Sequence, residues 1–390
     1  MHIFSLLILS VLFSGALAAV PTSRTKKKTA GPARSFVGPK PSTASRTTAR
    51  KPSPKRRRRP TGGPWKEPTY ADSTEGDQID GEDLTVRRAA VEALGPYNGT
   101  VVVADPFTGR VLTMVNQKLA LKSGFQPCST VKVVVGLAAL TEGVVERDTP
   151  LRLYGRTTMN LTEALARSNN PYFSNLGKKL GFPRVAHYAR LFGLGERAGL
   201  GIDGERPGGF PGSEPKHGGV GMLSSFGEGI TLTPLQLAAM LSSIANGGTL
   251  YYLQYPRTQL EAENLVPRVK RRLQIQSWIP DLRPGMMAAV EYGTARKAAY
   301  DPNEPILGKT GTCSDRQTPT HLGWFGSFND VERNKLVVVV LLTGGRPSNG
   351  GLAAEIAGGV YRQLSAQRYF ARGRPTSPVA LVGSQSCCAQ

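Results

Sequence analysis

Cysteine and histidine are scarce in this sequence, with four of each among 390 residues. Cys128, Cys313, Cys387 and Cys388 are too few for a disulfide framework and form no C-x-x-C pair. His2, His187, His217 and His321 lie far apart, so no metal ligand set emerges and no cofactor is expected. Long apolar runs are missing too: the best candidate, Ile3 to Phe13, falls short of the roughly 20 residues that cross a bilayer, and nothing later is longer. Acid is absent from Arg24 to Lys66, where fifteen Lys and Arg end in Lys55-Arg56-Arg57-Arg58-Arg59. Most of the formal net charge of +21 therefore sits in one arm, which argues against a nucleic-acid-binding surface spread over the whole chain.

What is present falls into four stretches. Residues 1–18 read as a signal peptide, because the short apolar run is followed by small residues with Ala16-Leu17-Ala18 in the A-x-A pattern of a cleavage site. Export to the periplasm or cell envelope with cleavage is the preferred expectation, and an uncleaved membrane anchor is the alternative. Residues 19–96 read as a disordered linker, first basic and then acidic, since its basic part has hardly an apolar residue with which to offset the entropy of ordering. The acidic part, with Asp72, Glu75, Asp77, Asp80, Glu82 and Asp83, either folds back on the basic arm or is solvated. Residues 97–370 form the globular part and 371–390 a loose tail.

Within the globular part, 100–104 and 110–115 read as a hairpin around Asp105-Pro106-Phe107-Thr108-Gly109. Helices follow at 129–140, 161–180, 184–192 and 234–246, the last opening on Thr233 and Pro234 and stopping at Gly247-Gly248. Strands return at 305–312, 322–328 and 335–343, where the run Leu336 to Leu342 fits a strand buried on both faces. A helix over 352–369 closes the domain. The pattern predicts an α+β fold in which distant segments build one antiparallel β-sheet flanked by helices, with an inserted helical subdomain.

The chemistry begins at Ser129-Thr130-Val131-Lys132. One helical turn separates the serine from the lysine, which puts both on one face about 5 to 6 Å apart at Cβ. A serine hydroxyl needs a base, and a lysine kept neutral by burial or by neighbouring cations can serve. By itself the pair reads first as an N-capping serine with a lysine nearby, which is the ordinary explanation. Ser168-Asn169-Asn170 places a hydroxyl and an amide in a turn between helices, where they can face one cleft, although an asparagine-rich cap explains them as well. Lys309-Thr310-Gly311-Thr312 puts a glycine inside a strand, a costly choice that often marks close approach of a ligand. Gly193-Leu194-Gly195 has no strand before it and gives no nucleotide site.

In that order, serine-x-x-lysine, serine-x-asparagine and lysine-threonine-glycine resemble the three motifs of penicillin-binding proteins and serine β-lactamases. The likeness extends to the hairpin at Asp105 to Gly109, to Ser168 to Phe173, to Ser225-Phe226-Gly227-Glu228-Gly229 with Thr233 to Ala238, to Gly293-Thr294-Ala295-Arg296 and to Gly323-Trp324-Phe325. It implies a transpeptidase fold with the active site between sheet and helical subdomain. It also implies roles: Ser129 attacks the carbonyl of a D-Ala-D-Ala stem peptide of peptidoglycan or of a β-lactam, Lys132 takes its proton, and Ser168 passes that proton to the leaving group. Asn170 positions the donor, Lys309 meets the substrate carboxylate with the Thr310 and Thr312 hydroxyls beside it and Gly311 between them, and the backbone N–H groups of Ser129 and Thr312 form the oxyanion hole.

Three positions depart from the family pattern. Cys128 stands where a glycine commonly precedes the nucleophile, Cys313 follows Lys-Thr-Gly-Thr, and Glu228 replaces a glutamine. Because the nucleophile helix and that strand line one cleft in this fold, the two cysteines pair or act as a redox latch in one reading; two small buried thiols is the preferred one. No E-x-x-N element follows Ser168 to hydrolyse the acyl group, and Asn170 argues against the class with serine-x-valine. The expected order of function is thus D,D-transpeptidase, then D,D-carboxypeptidase, then serine β-lactamase. Nothing between the cleavage site and Tyr97 reads as a glycosyltransferase or pedestal domain. A different class of reading is a non-catalytic penicillin-binding or surface-binding protein held by its basic arm at residues 24–66 to anionic lipid or wall polymer, with no nucleic acid as partner.

Overall fold

The computed structural model describes residues 65–122, 124–315 and 319–371. The expected signal peptide, nearly all of the basic arm and the tail from residue 372 lie outside the described residues.

Along the chain run α1 (Leu84–Leu94), β1 (Gly99–Ala104), β2 (Val111–Val115), α2 (Gln117–Ala120), a 3-10 turn (Cys128–Val131) and α3 (Lys132–Thr141). The small ladder β3 (Leu151–Arg152) and β4 (Thr158–Met159) precedes α4 (Leu161–Ala166), α5 (Asn170–Leu191), α6 (Gly219–Phe226) and α7 (Pro234–Ala245). Then come β5 (Thr249–Tyr251), α8 (Gln259–Glu263), β6 (Val269–Arg272), α9 (Ile279–Glu291), β7 (Ile306–Asp315), β8 (Thr320–Asn329), β9 (Val337–Gly344) and α10 (Gly350–Ala366).

The main sheet is antiparallel, in the order β2-β1-β9-β8-β7. Alternation along its strands divides the core. Val102, Val339 and Leu341 pack in a cluster with α3, α5 and α7, whereas Val101, Val103, Val338, Val340 and Leu342 pack on the opposite face with α1 and α10. That is why β9 is apolar at nearly every position: both of its faces are covered. Among the described residues β7 pairs only with β8 and forms one edge of the sheet.

The expected fold class holds, and the strand and hairpin positions agree within a few residues. Two expectations are corrected. The predicted helix over 161–180 is two helices, because the chain leaves α4 at Ala166 and passes through Ser168 at φ 56° before Asn169 caps α5 with its side chain on Tyr172 N. α5 then absorbs the predicted 184–192 helix across a kink at Gly181, whose φ of 75° a β-carbon would oppose, just ahead of Pro183.

The second correction concerns the linker. From residue 65 the chain is folded, not disordered to residue 96. Asp83 caps α1 through Thr85 N and Val86 N, Tyr70 bridges to Tyr97, and Asn98 N donates to Thr69 O at 2.9 Å. Of the acidic residues, Asp72, Glu75 and Asp80 are exposed, whereas Asp77, Glu82 and Asp83 are taken up by the domain. Asp77 accepts from Arg87 at 2.7 Å and from the Asn116 and Gln117 backbone, while buried Glu82 accepts from Thr113 Oγ1, Met114 N and Tyr255 Oη. Scarcity of apolar residues marks the basic part of the linker and not this segment, whose carboxylates supply the acceptors that β2 and α1 need.

Candidate active site

The chain reaches the site through Phe125, which pairs in both directions with Leu232, and then through Pro127 into the 3-10 turn. Thr130 closes this turn by donating from both N and Oγ1 to Pro127 O. Ser129 thus sits half-buried at the mouth of α3, and Lys132, one turn on, is wholly buried. Lys132 Nζ lies 2.6 Å from Ser129 Oγ, 2.7 Å from Asn170 Oδ1 and 2.6 Å from the Ser225 carbonyl oxygen. The rings of Phe173 and Phe226 stand 5.7 and 5.8 Å from the nitrogen and keep water away.

Burial, and secondarily the charge of Lys309, brings Lys132 down to about 6. A neutral amine has two N–H donors and one lone pair. The two acceptors that cannot donate, Asn170 Oδ1 and Ser225 O, use the donors, so the lone pair faces the Ser129 hydroxyl, which donates to it. The same neighbour fixes the Asn170 amide, whose Oδ1 turns to the lysine and whose Nδ2 remains as a donor.

The second motif joins the other two. The positive φ of Ser168 aims its Oγ at Lys309 Nζ, 2.8 Å away, while Asn170 two residues on holds Lys132. Lys309 is buried and brought down to about 7 by that burial, with its other contact the Thr310 carbonyl at 3.0 Å. Thr310 Oγ1 is 2.6 Å from Thr294 Oγ1, and Thr312, exposed at the cleft, accepts from Gly350 N at 2.8 Å with its own proton left to donate. Gly311 is required by contact: a β-carbon there would stand 2.9 Å from Pro127 O and 3.1 Å from Trp324 Cβ. All eight residues singled out from the motifs thus converge where the start of α3, the α4–α5 turn and edge strand β7 meet.

The preferred reading of Cys128 and Cys313 as buried thiols is wrong. They form a disulfide, Cα–Cα 5.7 Å, between residues 185 apart in sequence. Close packing of the nucleophile turn on β7 brings the cysteines together, and spacing along the chain carries no trace of that proximity. Sequence reasoning also missed the Ser225 carbonyl, the Phe173 and Phe226 rings, and Thr294, whose N–H donates to Ala166 O at 3.1 Å and so ties α4 to the Thr310 hydroxyl. These lie in stretches matched to the family, but the role of a backbone carbonyl or a walling ring leaves no signature in residue type. Among the described residues there is no cluster of His, Cys, Asp and Glu fit for a metal ion.

Known proteins resemble this chain in sequence and in fold. Residues 99–362 match the family described as penicillin binding protein transpeptidase domain. The chain is 28% identical over 309 residues to stage V sporulation protein D of Bacillus subtilis strain 168, covering 69% of this chain and 48% of the relative. It is 25% identical over 349 residues to peptidoglycan D,D-transpeptidase MrdA of Haemophilus influenzae, covering 68% of this chain and 53% of the relative. It thus spans about half the length of these relatives. The fold is that of the transpeptidase domain of Burkholderia pseudomallei penicillin-binding protein 3, at 20% identity and a TM-score of 0.63 over 75% of this chain and 97% of that one.

Proposed function

From its place in the penicillin-binding protein transpeptidase domain family, to which this chain belongs, we propose that it is a serine D,D-transpeptidase that cross-links peptidoglycan stem peptides through an acyl-enzyme on Ser129. The observation that carries this reading is the 2.6 Å contact of Ser129 Oγ with a lysine whose N–H groups are occupied elsewhere.

In acylation, Ser129 Oγ attacks the carbonyl between the two terminal D-alanines and gives its proton to Lys132. The oxyanion forms against the backbone N–H groups of Ser129 and Thr312, of which a single donor is worth about 3 to 4 kcal/mol of barrier. Ser168, bonded to Lys309, hands a proton to the departing D-alanine nitrogen as the C–N bond breaks and is reprotonated by the proton that Lys132 took, which leaves Lys132 neutral again. The terminal carboxylate meets the Lys309 charge and the Thr312 hydroxyl. An acceptor amine then attacks the acyl ester and loses a proton to Lys132, which passes it to Ser129 Oγ as the ester C–O bond breaks. With a β-lactam the ring C–N bond opens, but the leaving nitrogen stays tethered, so the adduct persists.

No helix among the described residues is long and apolar enough to cross a membrane. Action at the cell envelope after export, with the basic arm bound to anionic polymer or lipid, accords with the charge of residues 24–66. The reaction is tested by intact mass spectrometry after incubation with a penicillin. A stable adduct lost in Ser129→Ala is expected. Unmodified protein with intact drug would overturn the enzyme reading, and rapid drug turnover would replace the transpeptidase by a β-lactamase.

A further inference from the structure

We propose that the Cys128–Cys313 disulfide is a positioning cross-link for the oxyanion hole, and that acyl transfer at Ser129 depends on this bond being oxidised. The proposal rests on the acyl-enzyme reading above, and its basis is where the two sulfurs stand. Cys128 immediately precedes Ser129 and Cys313 immediately follows Thr312, so the bond joins the flanks of the two residues whose backbone N–H groups would hold the oxyanion.

The two donors come from separate elements, the 3-10 turn and edge strand β7. Among the described residues no backbone hydrogen bond joins Cys128–Val131 to Ile306–Asp315. What else holds them together is weaker or indirect. Trp324 on β8, not β7, donates from Nε1 to Gln126 O at 3.0 Å, and Gly311 merely packs on Pro127 and Thr130. Among the described residues β7 is an edge, with no strand on its outer side to fix it against the turn. The covalent bond therefore sets how far apart the donors lie.

The backbone supports this. Cys128 has φ 52°, a conformation that glycine takes freely and other residues rarely adopt. The strained residue touches the nucleophile, and its side chain is the one that reaches β7. Such strain persists where the surroundings over-determine it, and here a covalent bond does so.

Reduction would break the constraint without removing a catalytic group. A dithiol attacks the half-buried Cys313 sulfur, since Cys128 is fully covered, and a mixed disulfide forms as Cys128 leaves. The second thiol of the reductant resolves it. Two electrons and two protons pass to the protein, giving two thiols, and the dithiol becomes its own disulfide. With the tie open the donors gain freedom. A misplacement of about 1 Å can cost on the order of 100-fold in rate, and loss of a whole donor about 100- to 1,000-fold.

The experiment measures acylation of the whole chain by a fluorescent penicillin, resolving the binding constant from the acylation rate constant, before and after dithiothreitol and after reoxidation. Thiol titration follows the bond, and circular dichroism follows the fold. The expected result is a fall of about 10- to 100-fold in the acylation rate constant on reduction, binding within about threefold, an unchanged spectrum and recovery on reoxidation. Cys313→Ser is expected to match the reduced protein and to ignore dithiothreitol. The double variant Cys128→Gly/Cys313→Ser, which removes the strained side chain, guards against misfolding of the single one. An unchanged rate constant in reduced protein, a loss confined to binding, or a loss that tracks unfolding would overturn the proposal. Absence of any adduct on the oxidised protein would instead sink the acyl-enzyme reading itself.

Discussion

The two site lysines are set by one neighbourhood to opposite tasks. In the proposed mechanism Lys132 acts as base only when neutral, which holds above its value of about 6, and Lys309 attracts a carboxylate only when charged, which holds below its value of about 7. The pH dependence of kcat/KM, which reports free enzyme, is therefore expected to be bell-shaped, rising through about 6 and falling through about 7. A bound carboxylate stabilises the Lys309 cation, so the alkaline limb of kcat belongs at higher pH. Lys309→Met is expected to abolish that limb. It also removes a cation that depresses Lys132, so the acid limb should move upward, and an unmoved limb in the variant's profile would show that the two lysines do not interact. Lys132→Met, read by penicillin labelling, is expected to lose about 100- to 10,000-fold, the usual worth of a positioned base.

At the scale of elements, α1 is fastened to the sheet by charge. Arg87 is nearly covered, and its guanidinium bonds Asp77, Glu82 and the Met114 carbonyl, linking the acidic segment, the helix and β2. Removing it leaves two covered carboxylates without their cation, a change that costs about 3 to 5 kcal/mol. Arg87→Ala is expected to lower stability by about 3 kcal/mol in urea unfolding with the slope unchanged. Because α1 packs with α10 on the face of the sheet opposite α3, acylation per folded molecule should stay as it was. The turn between α4 and α5 has the reverse character: it adds little core and carries Ser168 and Asn170, each aimed at a different lysine.

For the whole molecule the charge is divided between a mildly basic domain and a strongly basic arm. The Trp65 ring lies tilted against His321 with centroids 4.4 Å apart and Lys66 N donates to Pro319 O, so both belong to the domain and a cut belongs before them. Deletion of residues 22–60 is expected to leave penicillin acylation intact and to abolish salt-sensitive sedimentation with anionic vesicles; retained sedimentation would mean that the arm is a spacer. Sequence by itself determined the three motifs, their order and the strands around them, because helix spacing, an apolar run such as Leu336 to Leu342 and a glycine inside a strand are local marks of local geometry. It also determined the family. Only the tertiary structure decided that the Lys132 amine is brought down to about 6, since that follows from the burial around it and from Lys309, 177 positions away in the chain. It likewise decided that Cys128 and Cys313 are joined and that residues 65–96 are folded, because a contact between distant segments depends on how the sheet and helices pack, and no single segment carries that information.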